Sequence, residues 1–141
     1  CFTPHYNKEY LFSNIHQARR QGALLLNGGI GGFGTAVRVS AHRYWIDWFW
    51  STQFIVIFAP LFDVILAYDF KETDTADGVL SKIVTAKMAL YPFISVQKSF
   101  GYSDVSESND SHPERVEEYF EKSSKRLGYL HTVSQHFLQN I

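Results

Sequence analysis

The chain has 141 residues, of which 45% are hydrophobic and 16% aromatic, and its 13 basic and 14 acidic side chains nearly balance. This length and composition predict one globular domain, residues 1–141, with a hydrophobic core. The balanced charge provides no field that would attract nucleic acid. The single cysteine, Cys1, excludes a fold held by internal disulfides.

The first predicted element is a helix over residues 6–21, because its apolar side chains recur every three to four positions. Gly22 is a suitable stop for this helix. After a short apolar run, residues 35–42 alternate between apolar and polar side chains, which is typical of a half-buried strand. We therefore expect a central set of apolar strands over residues 23–70.

Gly29, Gly31 and Gly34 satisfy the G-x-G-x-x-G spacing of dinucleotide-binding folds. In those folds a helix follows the glycines directly, and an acidic residue lies about twenty positions further on. Here the next segment alternates like a strand, and the region near Phe54 is apolar. We interpret these glycines as a flexible or closely packed turn and expect no nucleotide cofactor.

Aromatic residues are concentrated in residues 44–70, which hold ten of the 23 Phe, Trp and Tyr residues. Five large rings lie close together in sequence: Tyr44, Trp45, Trp48, Phe49 and Trp50. Since so many neighbouring rings cannot all point into one core, we predict that part of this set forms an interface with a second copy, a partner or a membrane. The uncharged run over residues 48–62 is shorter than the roughly 20 residues of a membrane-spanning helix, which favours buried strands.

In the second half, a polar break at residues 71–78 precedes a predicted helix that starts near Val79 and ends near Pro92. Residues 99–111 are rich in Ser, Asp, Asn and Gly, which predicts a mobile loop. Ser111 and Glu114 form a capping box for a last helix over residues 112–140. Its apolar stripe comprises Val116, Phe120, Leu127, Leu130, Val133, Phe137 and Ile141.

These patterns together predict an α+β fold, in which an N-terminal helix and two C-terminal helices pack on the central apolar strands. We expect the last helix to dock on its own domain, because the strands need cover on at least one face. The alternative is that the helix is a free arm that binds a partner.

The sequence offers no convincing catalytic or metal site. His131 and His136 are five positions apart, which separates them by roughly 140° around a helix. Asp47, Asp63 and Asp69 lie among apolar residues, where they are either acids with a raised pKa or, more commonly, acceptors of backbone hydrogen bonds. We predict no catalytic residue, metal or cofactor from these side chains.

Cys1 has no methionine before it, which indicates a processed N-terminus or a fragment boundary. An amine beside the thiol can act as its base, as in N-terminal nucleophile hydrolases. Those enzymes place the nucleophile at the start of a buried strand, whereas Cys1 is followed by Pro4 and a polar segment that leads into a helix.

Cys1 with a short polar segment before a folded domain resembles a mature bacterial lipoprotein, in which the cysteine carries diacylglycerol and an acylated amine. Phe62-Asp63-Val64-Ile65-Leu66 with Asp69 is also similar to the Phe-Asp-Thr-Leu-Leu-Leu-Pro-x-Asp stretch of small YceK-type lipoproteins, although the Thr and Pro are absent. The resemblance implies that residues 1–7 are a tether. It also implies a place in the bacterial cell envelope, on the periplasmic face of the outer membrane or on the cell surface.

The expected function is that of a lipid-anchored accessory protein that acts by binding or assembly rather than by catalysis. Its partners are expected to be the membrane, through acyl chains on Cys1, and a protein partner or a second copy. Each acyl methylene that is buried in the membrane contributes about 0.8 kcal/mol to the free energy of binding. Several acyl chains therefore anchor a protein stably, whereas a single chain gives only marginal binding. Two alternatives stay open: a hydrolase fragment with Cys1 as nucleophile, and a domain that binds a small apolar ligand.

Overall fold

The computed structural model describes residues 1–98 and 114–139, without the side chain of Glu114. The predicted loop, the capping box and Ile141 lie wholly or partly outside these residues. The helices are α1 (Lys8–Arg20), α2 (Phe62–Ala67), α3 (Ala76–Ile83) and α4 (Glu114–Gln139), with a 3-10 turn at Ala59–Leu61. The strands are β1 (Leu25–Asn27), β2 (Ala36–Arg38), β3 (Arg43–Ile46), β4 (Ile55–Ile57) and β5 (Lys87–Leu90).

The five strands form one mixed sheet in the order β2-β3-β5-β1-β4. β1 and β5 are parallel, and the other neighbouring pairs are antiparallel. Successive strand residues point to opposite faces, so Leu25 packs in one core cluster and Leu26 in the other. The predicted α+β class is confirmed.

Helices cover both faces of the sheet. Leu11 and Ala18 of α1 pack with Leu26 and Met88 on one face. The other face carries the larger cluster. Leu80 of α3, its C-cap residue Val84, and α4 contribute to this cluster, the last with Val116, Phe120 and Leu127. The sheet is therefore the middle layer of three.

The helix predicted over residues 6–21 is confirmed as α1. It starts at Lys8 because the Asn7 side chain accepts hydrogen bonds from the amides of Glu9 and Tyr10 at 2.8 and 3.2 Å. It ends before Gly22, which adopts φ +79.

One predicted element is wrong, and a second is confirmed only in its first part. The apolar run at residues 61–70 was expected in the strands, but Pro60 opens the 3-10 turn and α2 follows it. The helix expected from Val79 toward Pro92 ends at Ile83, and Lys87–Leu90 is strand β5. Hydrogen bonding to β1 on one side and β3 on the other outweighs the helix propensity of these residues.

The stripe of α4 docks on the domain in its first turns, where Val116, Phe120 and Leu127 are buried. Leu130 and Val133 are half-buried, whereas Phe137 is 65% exposed. Polar contacts reinforce the docking, since Arg126 donates to the carbonyls of Phe33 and Gly34 at 2.8 Å each.

Farther along α4, His131 makes a partly buried polar contact with the sheet. Its Nδ1 atom lies 3.0 Å from the hydroxyl of Tyr44, and Tyr91 packs beside both rings. Burial lowers the pKa of His131, and the nearby Arg38 and His42 lower it further. Burial likewise raises the pKa of Tyr44. Both groups are therefore neutral near pH 7.

We expect the free energy of unfolding to decrease as the pH falls from about 6.5, the ordinary pKa of histidine. Below that pH the unfolded chain binds a proton at His131 that the folded protein, with its lowered pKa, does not bind. Urea denaturation between about pH 8 and pH 5 measures the effect. In His131→Gln, which keeps a hydrogen-bonding side chain, the decrease should be smaller. Equal pH dependence in both proteins would contradict this assignment.

Candidate functional site

The candidate site is built around the guanidinium of Arg43, which lies on β3 beneath α1. The residue is only 2% exposed. Arginine is rarely this buried unless it is paired, because removing a charge from water is costly. The partners of Arg43 therefore define the site.

Arg43 is held by three side-chain amides of α1 and its C-cap. Its Nη1 donates to Asn14 Oδ1 at 2.5 Å, and its Nη2 donates to Gln17 Oε1 at 3.2 Å. Gln21 Oε1 accepts from both Nε and Nη2, at 3.3 and 3.1 Å. These residues lie on one face of the helix because they are three and four positions apart.

All three acceptors are neutral, so they satisfy hydrogen bonds without supplying an opposite charge. Among residues 1–98 and 114–139, no carboxylate forms an ion pair with Arg43. Burial lowers the pKa of Arg43, but arginine starts so far above neutral pH that the group remains charged. The site thus contains a buried cation without a counter-ion from the described residues.

Two adjoining cavities meet at Arg43. The smaller, which we call the arginine pocket, has a volume of about 280 Å³ and is lined by Gln17, Arg20, Gln21 and Arg43. The larger, about 590 Å³, continues along α1 toward the β2–β3 connection and Pro92. It is lined mainly by polar side chains, including Tyr10, His42 and, as its acidic group, Glu9.

Tyr10 forms part of the wall of the larger cavity. Burial raises its pKa to about 12, although the positive charge of Arg43 acts in the opposite direction. The phenol is therefore neutral at physiological pH and donates to the carbonyl of Pro92 at 3.4 Å. Its ring also contacts His42 edge-on, with centroids 5.2 Å apart. The cavity wall next to Arg43 thus combines an apolar ring with polar groups.

The pattern of residues around Arg43 does not mark it as a site residue in the sequence. The missed signal is Asn14, which interrupts the apolar stripe of α1 between Leu11 and Ala18 and is buried with them. A polar side chain at a core position of a helix requires a hydrogen-bonding partner from the sheet. The sequence does not show which strand supplies it.

The structure separates the five rings predicted to form an interface. Tyr44 and Phe49 are buried in the core, and Trp45 and Trp50 are half-buried. Trp45 donates to the carbonyl of Thr85 at 2.8 Å, and Trp50 packs against Tyr119 and Phe120. Trp48, at 44% exposed, is the ring that remains available for an interface, which stays a prediction.

Cys1 is exposed, and its amine donates to the carbonyl of Val96 at 2.8 Å. The Val96 amide donates back to the Cys1 carbonyl, and the Thr3 amide donates to Ile94. The first residues of the predicted tether therefore lie along residues 93–96. Lipid attachment and nucleophilic chemistry at Cys1 stay predictions.

The other candidate residues have structural partners or are exposed. Asp47 Oδ1 accepts from the amides of Gly34 and Trp48 at 3.1 and 2.8 Å. Burial alone raises the pKa of Asp47, but these and other backbone hydrogen bonds hold it below its usual value. Asp63 is exposed, and Asp69 pairs with Lys71 at the surface. Within the described ranges, no group of three or more His, Cys, Asp or Glu side chains could hold a metal ion.

Comparison with known proteins finds no matching family model, curated protein or solved structure. None of the described helices is long and apolar enough to cross a membrane. The functional argument therefore rests on the geometry of the chain itself.

Proposed function

We propose that the domain binds a small organic anion, with a carboxylate or phosphate group seated in the arginine pocket. The observation that supports this proposal is the buried charge of Arg43, which has only amide partners among the described residues. An anion supplies the opposite charge that these amides do not. Binding without chemistry also agrees with the expectation, from the sequence, of a non-catalytic protein.

Two arginines, Arg20 and Arg43, line the pocket in which such an anion would bind. Arginine suits this role because its planar donors match the geometry of carboxylate and phosphate oxygens. Gln17 and Gln21 are exposed residues, so their side chains can rotate away and leave Arg43 donors for the ligand. The buried Asn14 keeps Arg43 in place during this exchange.

The rest of the ligand fits the larger cavity, which adjoins the arginine pocket at Gln17 and Arg43. Tyr10 and His42 provide ring surfaces there, and the surrounding Ser and Asn side chains provide hydrogen bonds. Glu9 on the same wall disfavours a second negative charge in this cavity. We therefore expect a ligand with one anionic end and a neutral body.

Thermal unfolding with added anions tests this proposal. Inorganic phosphate and acetate, compared with chloride at constant ionic strength, should raise the melting temperature if they bind the folded state. An anion whose concentration is a hundred times its dissociation constant stabilises the folded state by about 2.7 kcal/mol. The comparison of the phosphate sample with the acetate sample distinguishes a phosphate ligand from a carboxylate ligand. Equal melting temperatures in all three salts would contradict the proposal and leave Arg43 as a structural link between α1 and β3.

Neighbouring arginines provide a matched pair of variants. Arg19 and Arg20 are both exposed in the last turn of α1, but Arg20 lines the pocket and Arg19 does not. Arg20→Gln should weaken anion binding about tenfold, the cost of one lost charge-assisted hydrogen bond. Arg19→Gln should leave it unchanged. An equal loss in both variants would indicate general surface attraction rather than a site.

Membrane anchoring through Cys1 remains a second proposal, supported by the exposure of that residue and by the resemblance to lipoproteins. An exposed thiol can carry acyl chains without disturbing the buried core. Mass spectrometry of the native protein extracted from membranes should find a diacylglycerol on the N-terminal peptide. An unmodified peptide, or a native protein that is fully soluble without detergent, would contradict it.

A further inference from the structure

We infer that two copies of this chain associate by pairing their β4 strands, which joins two five-stranded sheets into one. β4 is an edge of the sheet, with β1 on its inner side. An edge strand presents unpaired amides and carbonyls that can pair with another strand. The inference is independent of the anion site, which lies at α1.

The backbone groups on the free side of β4 follow from its pairing with β1. The Gly28 amide donates to the Phe54 carbonyl, and the Phe58 amide donates to Leu24. Since hydrogen-bonded residues alternate along an antiparallel pair, Val56 also bonds inward, to Leu26. Ile55 and Ile57 therefore direct their amides and carbonyls outward. No residue within 1–98 or 114–139 hydrogen-bonds to these outward groups.

This pattern is complementary to itself. In an antiparallel pair of β4 strands, Ile55 of one copy faces Ile57 of the other, and each pair exchanges two hydrogen bonds. Val56 then lies opposite Val56 on the two-fold axis. Such an interface uses the same surface on both copies and closes after two chains.

The side chains favour β4 over the opposite edge for this contact. Natural edge strands are protected by charged residues, prolines or a covering element. β2 carries Arg38, which donates to Ser134 of α4 at 2.8 Å. β4 has the sequence Ile-Val-Ile, with neither charge nor proline.

The chain after β4 adds apolar surface of the kind found at interfaces. Apart from Asp63, α2 consists of apolar residues, and none of its residues is buried. Phe62 and Val64 are exposed, and Leu66 is 82% exposed. A helix this apolar is normally covered by other protein. Because three-residue strands pair over a small area, we expect an association in the micromolar range or weaker.

Sedimentation velocity of the full chain between about 1 µM and 1 mM tests the inference. We expect a monomer at the low end and a dimer at the high end. In Ile55→Pro the outward amide is lost while the bonds to β1 remain, so the dimer should disappear. Ile55→Ala is the matched control, since it removes similar side-chain volume but keeps the amide, and it should still dimerise.

Amide hydrogen exchange supplies a measurement that needs no variant. The Ile55 and Ile57 amides should exchange more slowly as the protein concentration rises, because the dimer bonds them. The Val56 amide, already bonded to β1, should show no such dependence. A monomer at every concentration, open-ended filaments, or a dimer that leaves Ile55 and Ile57 unprotected would each overturn the inference.

Discussion

Alanine in place of Gly29 is expected to lower the free energy of unfolding by more than about 4 kcal/mol, or to prevent folding. A methyl group at this position would lie 1.9 Å from the carbonyl oxygen of Ser95. That oxygen belongs to backbone and cannot rotate away as a side chain can. The amides of Ile94 and Ser95 also donate to the Gly28 carbonyl at 2.8 and 3.2 Å, which fixes the two segments together. Urea denaturation followed by circular dichroism measures the loss.

Two other glycines provide the controls for this prediction. A methyl group at Gly22 meets no atom within 4 Å. Gly22→Ala should therefore lower the free energy of unfolding only because φ is positive there, by about 1–2 kcal/mol. A methyl group at Gly31 would lie 1.9 Å from the ring of Trp50, a side chain. Trp50→Leu should therefore partly rescue Gly31→Ala, whereas it should not rescue Gly29→Ala. A loss at Gly29 no larger than at Gly22 would contradict the argument.

Gly29 and Gly31 also show how much of the structure could be predicted from the sequence. The sequence predicts a turn at these glycines because a strand-like segment follows them. It does not decide whether that turn is flexible or closely packed. The packing of Gly29 on Ser95 depends on a segment far along the chain. Spacing of residues in the sequence carries no information about that contact.

The wrong prediction for β5 has a similar cause. Lys87–Leu90 contains residues that favour helices, and its central place in the sheet comes from partners distant in sequence. Lys87 is buried there because its ammonium donates to the Val84 and Ser81 carbonyls at the end of α3, at 2.5 and 3.0 Å. A lysine in the sequence normally indicates a surface position, so the local sequence predicted exposure where the structure has burial.

The candidate site was less predictable than the fold. Amphipathic helices are visible in sequence because one face repeats every three to four residues, as in α1 and α4. Arg43 gave no such pattern, since its environment is built from β3 and the amides of α1. A single polar residue at a core position, Asn14, was the local evidence available.

Replacing Phe120 by alanine is expected to destabilise the domain by about 3–5 kcal/mol, the usual cost of removing a buried aromatic side chain. Phe120 is 2% exposed and packs with Trp50 in the cluster between α4 and the sheet. Its removal leaves a cavity at the place where α4 docks. The loss should appear as a lower urea midpoint, measured by circular dichroism, with an unchanged slope.

Phe137 is the matched control because it is the same residue type on the same helix but is 65% exposed. Phe137→Ala should change the free energy of unfolding by no more than about 0.5 kcal/mol. A large loss at Phe120 with none at Phe137 means that the first turns of α4 belong to the core, while its last turns add little to stability. If Phe120→Ala instead unfolds at the same urea concentration as the parent protein, α4 is not part of the cooperative fold. In that case the alternative of a free, partner-binding arm is the better description of α4.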